Sequence, residues 1–279
     1  MSQSPVPVED LPFVEGVLNY LGPMAEKPFS YVYEPPAGVA RTNAVYDPRR
    51  LPVYSARRHI AGLSLDREGF AVVAGRSAVR DFYDEAELRR VYYPECERIV
   101  AAAIGAERVI VFDHTTRRRQ PQTEDRTKGA PRQPVMRVHN DYTLQSGPQR
   151  VRDLMGEEAE ALLGRRFAFI NLWRPIRGPV KDSPLALCDA QSVAFTDFVG
   201  SDQVYPDRKG ETYVVTYNPA HRWFYLPEMQ TDEALLIKCY DSETDVARFV
   251  PHSAFADPTT PADAPARESI EIRTIAFFN

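Results

Sequence analysis

Cysteine is scarce in this 279-residue chain, and its three residues, Cys96, Cys188 and Cys239, show no CxxC spacing. That pattern supplies neither a disulfide framework nor a thiolate zinc site, and it fits a reducing, cytoplasmic setting. No apolar run approaches the roughly 18 residues that a membrane span needs, and residues 1–7 lack a basic stretch followed by an apolar one. Export and membrane insertion are therefore not expected. No face-sized run of Lys or Arg stands out and the formal net charge is -5, so nucleic acid finds no electrostatic footprint here. Heptads and exposed apolar stripes are missing too, and nothing specifies an oligomer. Histidine is rare: five residues in all.

With 43% hydrophobic and 26% charged residues, the chain has the composition of a soluble globular protein and the length to bury a substantial core without staples. It reads as one domain over residues 1–279. Residues 1–65, with Pro23, Pro28, Pro35, Pro36, Tyr31 and Tyr33, suggest an irregular N-terminal arm. Residues 66–134 supply helical and strand support: a strand from Gly69, a helix over about 78–103 that Pro94 kinks or divides, a strand over 107–113, and a basic loop over 115–133. The loop's Arg117, Arg118 and Arg119 read mainly as a solvated cluster, with grip on an anion as the sharper reading. A helix is expected over about 149–163, ended by Gly164.

From residue 166 onward, short strands separated by turns take over: 167–173, 185–189, 212–218, 223–226, 234–240, 248–250 and 270–278. That spacing points to an antiparallel sandwich or barrel. The fold class is mainly β with flanking helices, built on a double-stranded β-helix (jelly-roll) core over 135–279.

The most informative residues are His139-Asn-Asp141-Tyr-Thr. In a strand, residues two apart share a face, so an imidazole and a carboxylate point together. A distal histidine would complete the two-histidine, one-carboxylate set that holds non-haem Fe(II) and leaves positions open. Two candidates remain, His221 and His252; chain order favours His252, because the third ligand of such a barrel comes late and is followed by a basic strand. His221 sits at an apparent corner beside Trp223, Phe224 and Tyr225, and would take Lys238 as its anion clamp. His59 and His114 have no carboxylate partner at strand spacing. Arg267 and Arg273 are six apart and share a face, opposite Ile270 and Ile272. Inward-facing arginines call for an anionic partner, either a carboxylate co-substrate or barrel residues such as Glu268 and Glu271. The aromatic residues Trp173, Trp223, Phe224 and Tyr225 are candidates for a pocket lining as well as for core packing, and Tyr142 and Thr143 follow the metal pair directly.

Taken together, His139-Asn-Asp-Tyr-Thr, Asn171-Leu-Trp-Arg-Pro, Pro184-Leu-Ala-Leu-Cys-Asp189, Tyr217-Asn-Pro-Ala-His-Arg-Trp-Phe-Tyr, Lys238-Cys-Tyr-Asp-Ser242, His252-Ser-Ala-Phe-Ala-Asp-Pro and Arg267-Glu-Ser-Ile-Glu resemble the hydroxylase/desaturase family of secondary metabolism. That family includes the cephamycin methoxylation component, gibberellin-desaturase-like proteins and fungal meroterpenoid oxygenases. The resemblance spans roughly residues 65–279. It implies an oxygenase that uses Fe(II), 2-oxoglutarate and O2 to hydroxylate or desaturate a small-molecule natural product, with His139, Asp141 and His252 on the metal and Arg267 and Arg273 on the co-substrate. Two other readings stand beside it: a cupin-like metal-dependent dioxygenase or isomerase without 2-oxoglutarate, and a non-catalytic jelly-roll ligand-binding protein.

Overall fold

A computed structural model describes residues 8–279, and two sheets face each other in it. One has the spatial order β1 (Phe13–Leu21), β3 (Tyr46–Ser55), β11 (Trp223–Tyr225), β8 (Leu185–Cys188), β13 (His252–Ala254), β6 (His139–Asn140), β10 (Lys209–Val215), β9 (Phe198–Val204), β2 (Phe29–Tyr31). The other runs β4 (Phe70–Ala74), β12 (Glu233–Asp241), β7 (Phe167–Pro175), β14 (Glu268–Phe277), β5 (Arg108–Arg118). Strands distant in sequence are neighbours in both sheets, and the curled pair forms the expected jelly-roll core.

Strand β7 explains why this region reads as continuously apolar: it is buried over its whole length. Phe167, Phe169 and Trp173 turn inward, into a core shared with Leu187, Phe224, Ile237 and Ile275, while Ala168, Ile170 and Leu172 turn outward under a helix. Both faces of the strand are covered, so period-two alternation is hidden in the sequence. The covering helix presents Leu88, Tyr92, Cys96 and Val100, spaced every four residues along one helical face. Its first turn, α1 (Glu85–Glu87), is capped by the Asp84 carboxylate accepting from the Ala86 and Glu87 amides. A π-turn over Leu88–Tyr92 then leads into α2 (Tyr93–Ile104). There the Tyr93 amide bonds back to the Leu88 carbonyl, beside Pro94, which has no N–H to offer. The helix expected from about residue 78, kinked or divided at Pro94, instead begins at Glu85 and runs unbroken through this π-turn just before Pro94, and Gly105 closes it with φ 67°. Further on, the expected 149–163 helix becomes α3 (Ser146–Met155) and α4 (Ala159–Leu163), separated by Gly156 at φ 54°.

Residues 1–65 were expected to form an irregular arm, yet 13–21 and 46–55 pair antiparallel along their whole length and extend the larger sheet. Pro48 and Pro52 obscure this in the sequence. Residues 248–250 are not a strand; the strand begins at His252.

Gly69 ties the support region to the site. It has φ +83°, and a Cβ placed there would lie 2.2 Å from Val250 Cγ2. The Val250 carbonyl in turn accepts from the His252 ring. Gly69→Ala should therefore lower stability by about 1–3 kcal/mol, combining overpacking with a disfavoured backbone angle. A denaturant midpoint unchanged from wild type would contradict this reading.

Candidate metal and anion site

Strands β6 and β13 pair antiparallel with His139 directly opposite His252. Their rings lie 4.4 Å apart, centroid to centroid, inside the barrel. Each ring is held the same way: Nδ1 sits 2.9 Å from the carbonyl two residues earlier, Arg137 for His139 and Val250 for His252. A ring that donates Nδ1–H to a carbonyl keeps its Nε2 lone pair free, and here both face the same space. Asp141 follows on the same face, with Oδ1 3.7 Å from His139 Nε2. One ligand atom from each of the three residues falls within 4.8 Å of the others.

The second oxygen of Asp141 is already engaged. Oδ2 accepts from Asn171 Nδ2 at 2.8 Å and from Arg273 Nε at 3.2 Å. Asn171 stands on β7, opposite Arg273 on β14, so the five-stranded sheet grips one oxygen and leaves Oδ1 to face the histidines. Burial would raise the Asp141 carboxyl, but the Arg273 guanidinium and the two imidazoles overcome it and hold the group well below the usual carboxylate range. Burial, reinforced by His252 and Arg137, pushes His139 below its ordinary value. Two imidazoles and one carboxylate form the donor set that suits Fe(II), so the residues present fit the metal.

Arg267 and Arg273 share the inner face, as their spacing implies, while Ile270 and Ile272 pack under the helix. Their surroundings differ. Arg273 is surrounded by carboxylates: besides Asp141 it reaches Asp113 at 3.1 Å and Glu271 at 3.2 Å. Arg267 is buried without a carboxylate partner among the described residues; it donates Nη1 to the Ser183 carbonyl and lies over the Trp173 ring at 5.4 Å. Burial, with the nearby Arg117 charge, pushes it down to about 9. Its Nε has no partner, and neither do the buried Ser269 Oγ and Asn171 Oδ1 on the same inner face.

Arg117 belongs to this cluster too. It pairs across β5 and β14 with Ser269, is 9% exposed, and donates one N–H to the Gln133 carbonyl. Of the three consecutive arginines, only Arg118 and Arg119 match a solvated cluster, with 58% and 43% of their side chains exposed. Strand parity puts Arg117 and Arg119 on one face; Arg117 is buried, whereas Arg119 reaches Asp182 at 2.8 Å. Ser269 carries no distinguishing sequence signal beyond lying two residues after Arg267.

Other candidates lie elsewhere. His221 packs on the outer face of the larger sheet, with Nδ1 3.0 Å from the Tyr20 hydroxyl and Nε2 3.1 Å from Asp197. The same Tyr20 hydroxyl accepts from Trp223 Nε1 at 2.7 Å, so Trp223 also belongs to that outer cluster. Lys238 is consumed by Asp66 at 2.6 Å and Asp241 at 2.9 Å. Tyr142 stacks on Phe169 at 4.1 Å, and Thr143 donates to Glu211 at 2.7 Å. His114 bonds Tyr93 on the outside of the smaller sheet.

Comparison with known proteins agrees with this geometry. A family described as an oxidoreductase/YMDC permease-like domain matches residues 18–277. The hydroxylase/desaturase efuI of Hormonema carpetanum is 32% identical, over 96% of each chain. The Fe(II)/2-oxoglutarate-dependent dioxygenase nvfI of Aspergillus novofumigatus is 30% identical over 88% of this chain and 90% of its own. A solved structure of the iron and alpha-ketoglutarate-dependent endoperoxidase NvfI superposes with a TM-score of 0.85 at 29% identity, covering 96% of this chain and 98% of that one. Sharing fold and most of its length with these proteins, the chain belongs to the hydroxylase/desaturase family of Fe(II)/2-oxoglutarate-dependent oxygenases.

Proposed function

We propose that this protein is an Fe(II)/2-oxoglutarate-dependent oxygenase that hydroxylates or desaturates a small natural product, with His139, Asp141 and His252 as the iron ligands. The convergence of three ligand atoms, two of them on imidazoles locked by backbone carbonyls, carries the reading. Held there, iron would supply, with 2-oxoglutarate and O2, the oxidant for an unactivated carbon.

The chain's own residues do the positioning. His139 and His252 present Nε2, and Asn171 with Arg273 restrains Asp141 to one ligating oxygen. On the facing inner wall, Arg267 and Ser269 hold unsatisfied donors in a buried setting, where an unpaired polar group costs about 1–3 kcal/mol. A dicarboxylate end satisfies both, and Arg117 adds a second guanidinium across the strand pair. Arg273 shares that wall, but its carboxylate partners support a role in holding Asp141 rather than the co-substrate, which amends the pairing that strand parity alone suggests. The apolar inner core, with Phe169 and Trp173, shields these charges from water, which strengthens them. A cupin-like enzyme without 2-oxoglutarate has no use for the Arg267, Ser269 and Arg117 group. The three buried, unpaired thiols support a cytoplasmic location.

Two outcomes are expected from purified protein reconstituted anaerobically with Fe(II). Succinate formation from 2-oxoglutarate under air should show a KM for 2-oxoglutarate raised roughly tenfold or more in Arg267→Gln, and less in Arg117→Gln, as loss of charge-assisted hydrogen bonds requires. Equal KM values in wild type and Arg267→Gln would sink the co-substrate assignment. Asn171→Ala should weaken Fe(II) affinity roughly 10- to 100-fold, the usual effect of removing a hydrogen bond that orients a ligand; unchanged affinity by equilibrium dialysis would remove Asn171 from the site.

A further inference from the structure

The co-substrate wall lies on the five-stranded sheet, and the cation that lies nearest the histidines on the opposite sheet is unassigned. Arg137 precedes His139 by two residues. Between them, Val138 packs in the outer cluster with Leu18, Tyr20 and Val215, and residue 137 bridges in strand fashion to Asn19. Alternation therefore turns Arg137 to the same inner side as His139 and Asp141.

Among the described residues, the Arg137 guanidinium has neither a hydrogen bond nor an ion pair, although the residue is half-buried. Its charge reaches both His139 and Arg126, each of which it pushes down. Arg126 comes from the 119–133 loop and is joined there by Arg132. One carboxylate, Asp125, serves both loop cations, at 2.9 Å from Arg132 and 3.8 Å from Arg126. Asp125 does not pair with Arg137, which has no carboxylate partner among the described residues, in a protein whose overall charge is -5. An uncompensated, half-buried cation attracts a ligand of the other sign. The co-substrate does not account for it, because its charged end has Arg267, Ser269 and Arg117 on the other sheet.

We infer that Arg137 is a specificity-determining residue that binds an acidic group on the prime substrate, so that the substrate class is a compact apolar skeleton bearing one anionic group. This rests on the oxygenase reading for the word substrate, but not for the site itself. Arg137 offers a planar fork of donors, which matches a carboxylate or a sulfonate bidentately. Esterification of that group on the true substrate removes the recognition.

The test uses two fluorescent probes of nearly one shape, anionic 8-anilinonaphthalene-1-sulfonate and neutral N-phenyl-1-naphthylamine, titrated into full-length protein holding Fe(II) and saturating 2-oxoglutarate without oxygen. Wild type should bind the anionic probe more tightly, with an affinity that falls as salt rises. Arg137→Gln should weaken the anionic probe roughly tenfold and leave the neutral one unchanged, while Arg137→Lys retains part of the preference. Equal affinity of wild type for the two probes, absence of binding by the anionic one, or an unaltered preference in Arg137→Gln would overturn the proposal. Retention of 2-oxoglutarate, measured by equilibrium dialysis on the same samples, separates this failure from failure of the oxygenase assignment.

Discussion

The antiparallel register that sets His252 opposite His139 is the constraint on which the rest of the site depends. It brings together residues more than a hundred positions apart and gives both rings one environment, with each Nδ1 on the carbonyl two residues back. Since β6 and β13 are only two and three residues long, the register is fixed from outside them. β8 and β10 flank the pair, and the Asn140 side chain bonds to the Cys239 carbonyl and the Val250 amide. Gly69 lets its neighbour Val250 approach without a Cβ in the way. Ligand geometry in this fold is therefore a property of sheet packing.

The two sheets divide the chemistry. The larger sheet supplies both imidazoles and Arg137, whereas the smaller supplies the groups that restrain Asp141 and the buried, unpartnered Arg267 Nε and Ser269 Oγ. Alternation along β14 puts Arg267, Ser269, Glu271 and Arg273 on one face and Ile270 and Ile272 on the other, where the helix covers them. Charge on the inner face is partitioned by distance along the strand: Arg273 is neutralised by Asp141, Asp113 and Glu271, while Arg267 lies beyond that carboxylate cluster. Buried cations without carboxylates are costly to a fold, and they persist where a ligand offsets the cost.

How much of this the sequence discloses depends on whether a feature is local. The His139–Asp141 pair follows from strand parity, and the late position of His252 distinguishes it from His221. The same parity rule puts Arg267 and Arg273 on one face but says nothing of their partners, because Asp113 and Asp141 arrive from distant strands. Arg117 sits in a basic run whose solvated reading is correct for its two neighbours, and parity alone does not separate it from Arg119, which lies just past the end of β5. Strands β1 and β3 escape because Pro48 and Pro52 break the β pattern, which is tolerated where β3 pairs with β1 on one side only and β11 reaches no further than residues 53–55. The Asp197–His221–Tyr20 chain of hydrogen bonds is likewise long-range, and it explains why a histidine beside aromatic residues packs instead of ligating.

The most direct test of the account is the stoichiometry of Fe(II) bound under anaerobic equilibrium dialysis in wild type, His139→Ala, His252→Ala and His221→Ala, each checked for a cooperative melting transition. The prediction is one iron per chain in wild type and in His221→Ala, with that binding lost in His139→Ala and His252→Ala. Iron retained by folded His252→Ala and lost from folded His221→Ala would contradict it, moving the metal away from the β6–β13 pair.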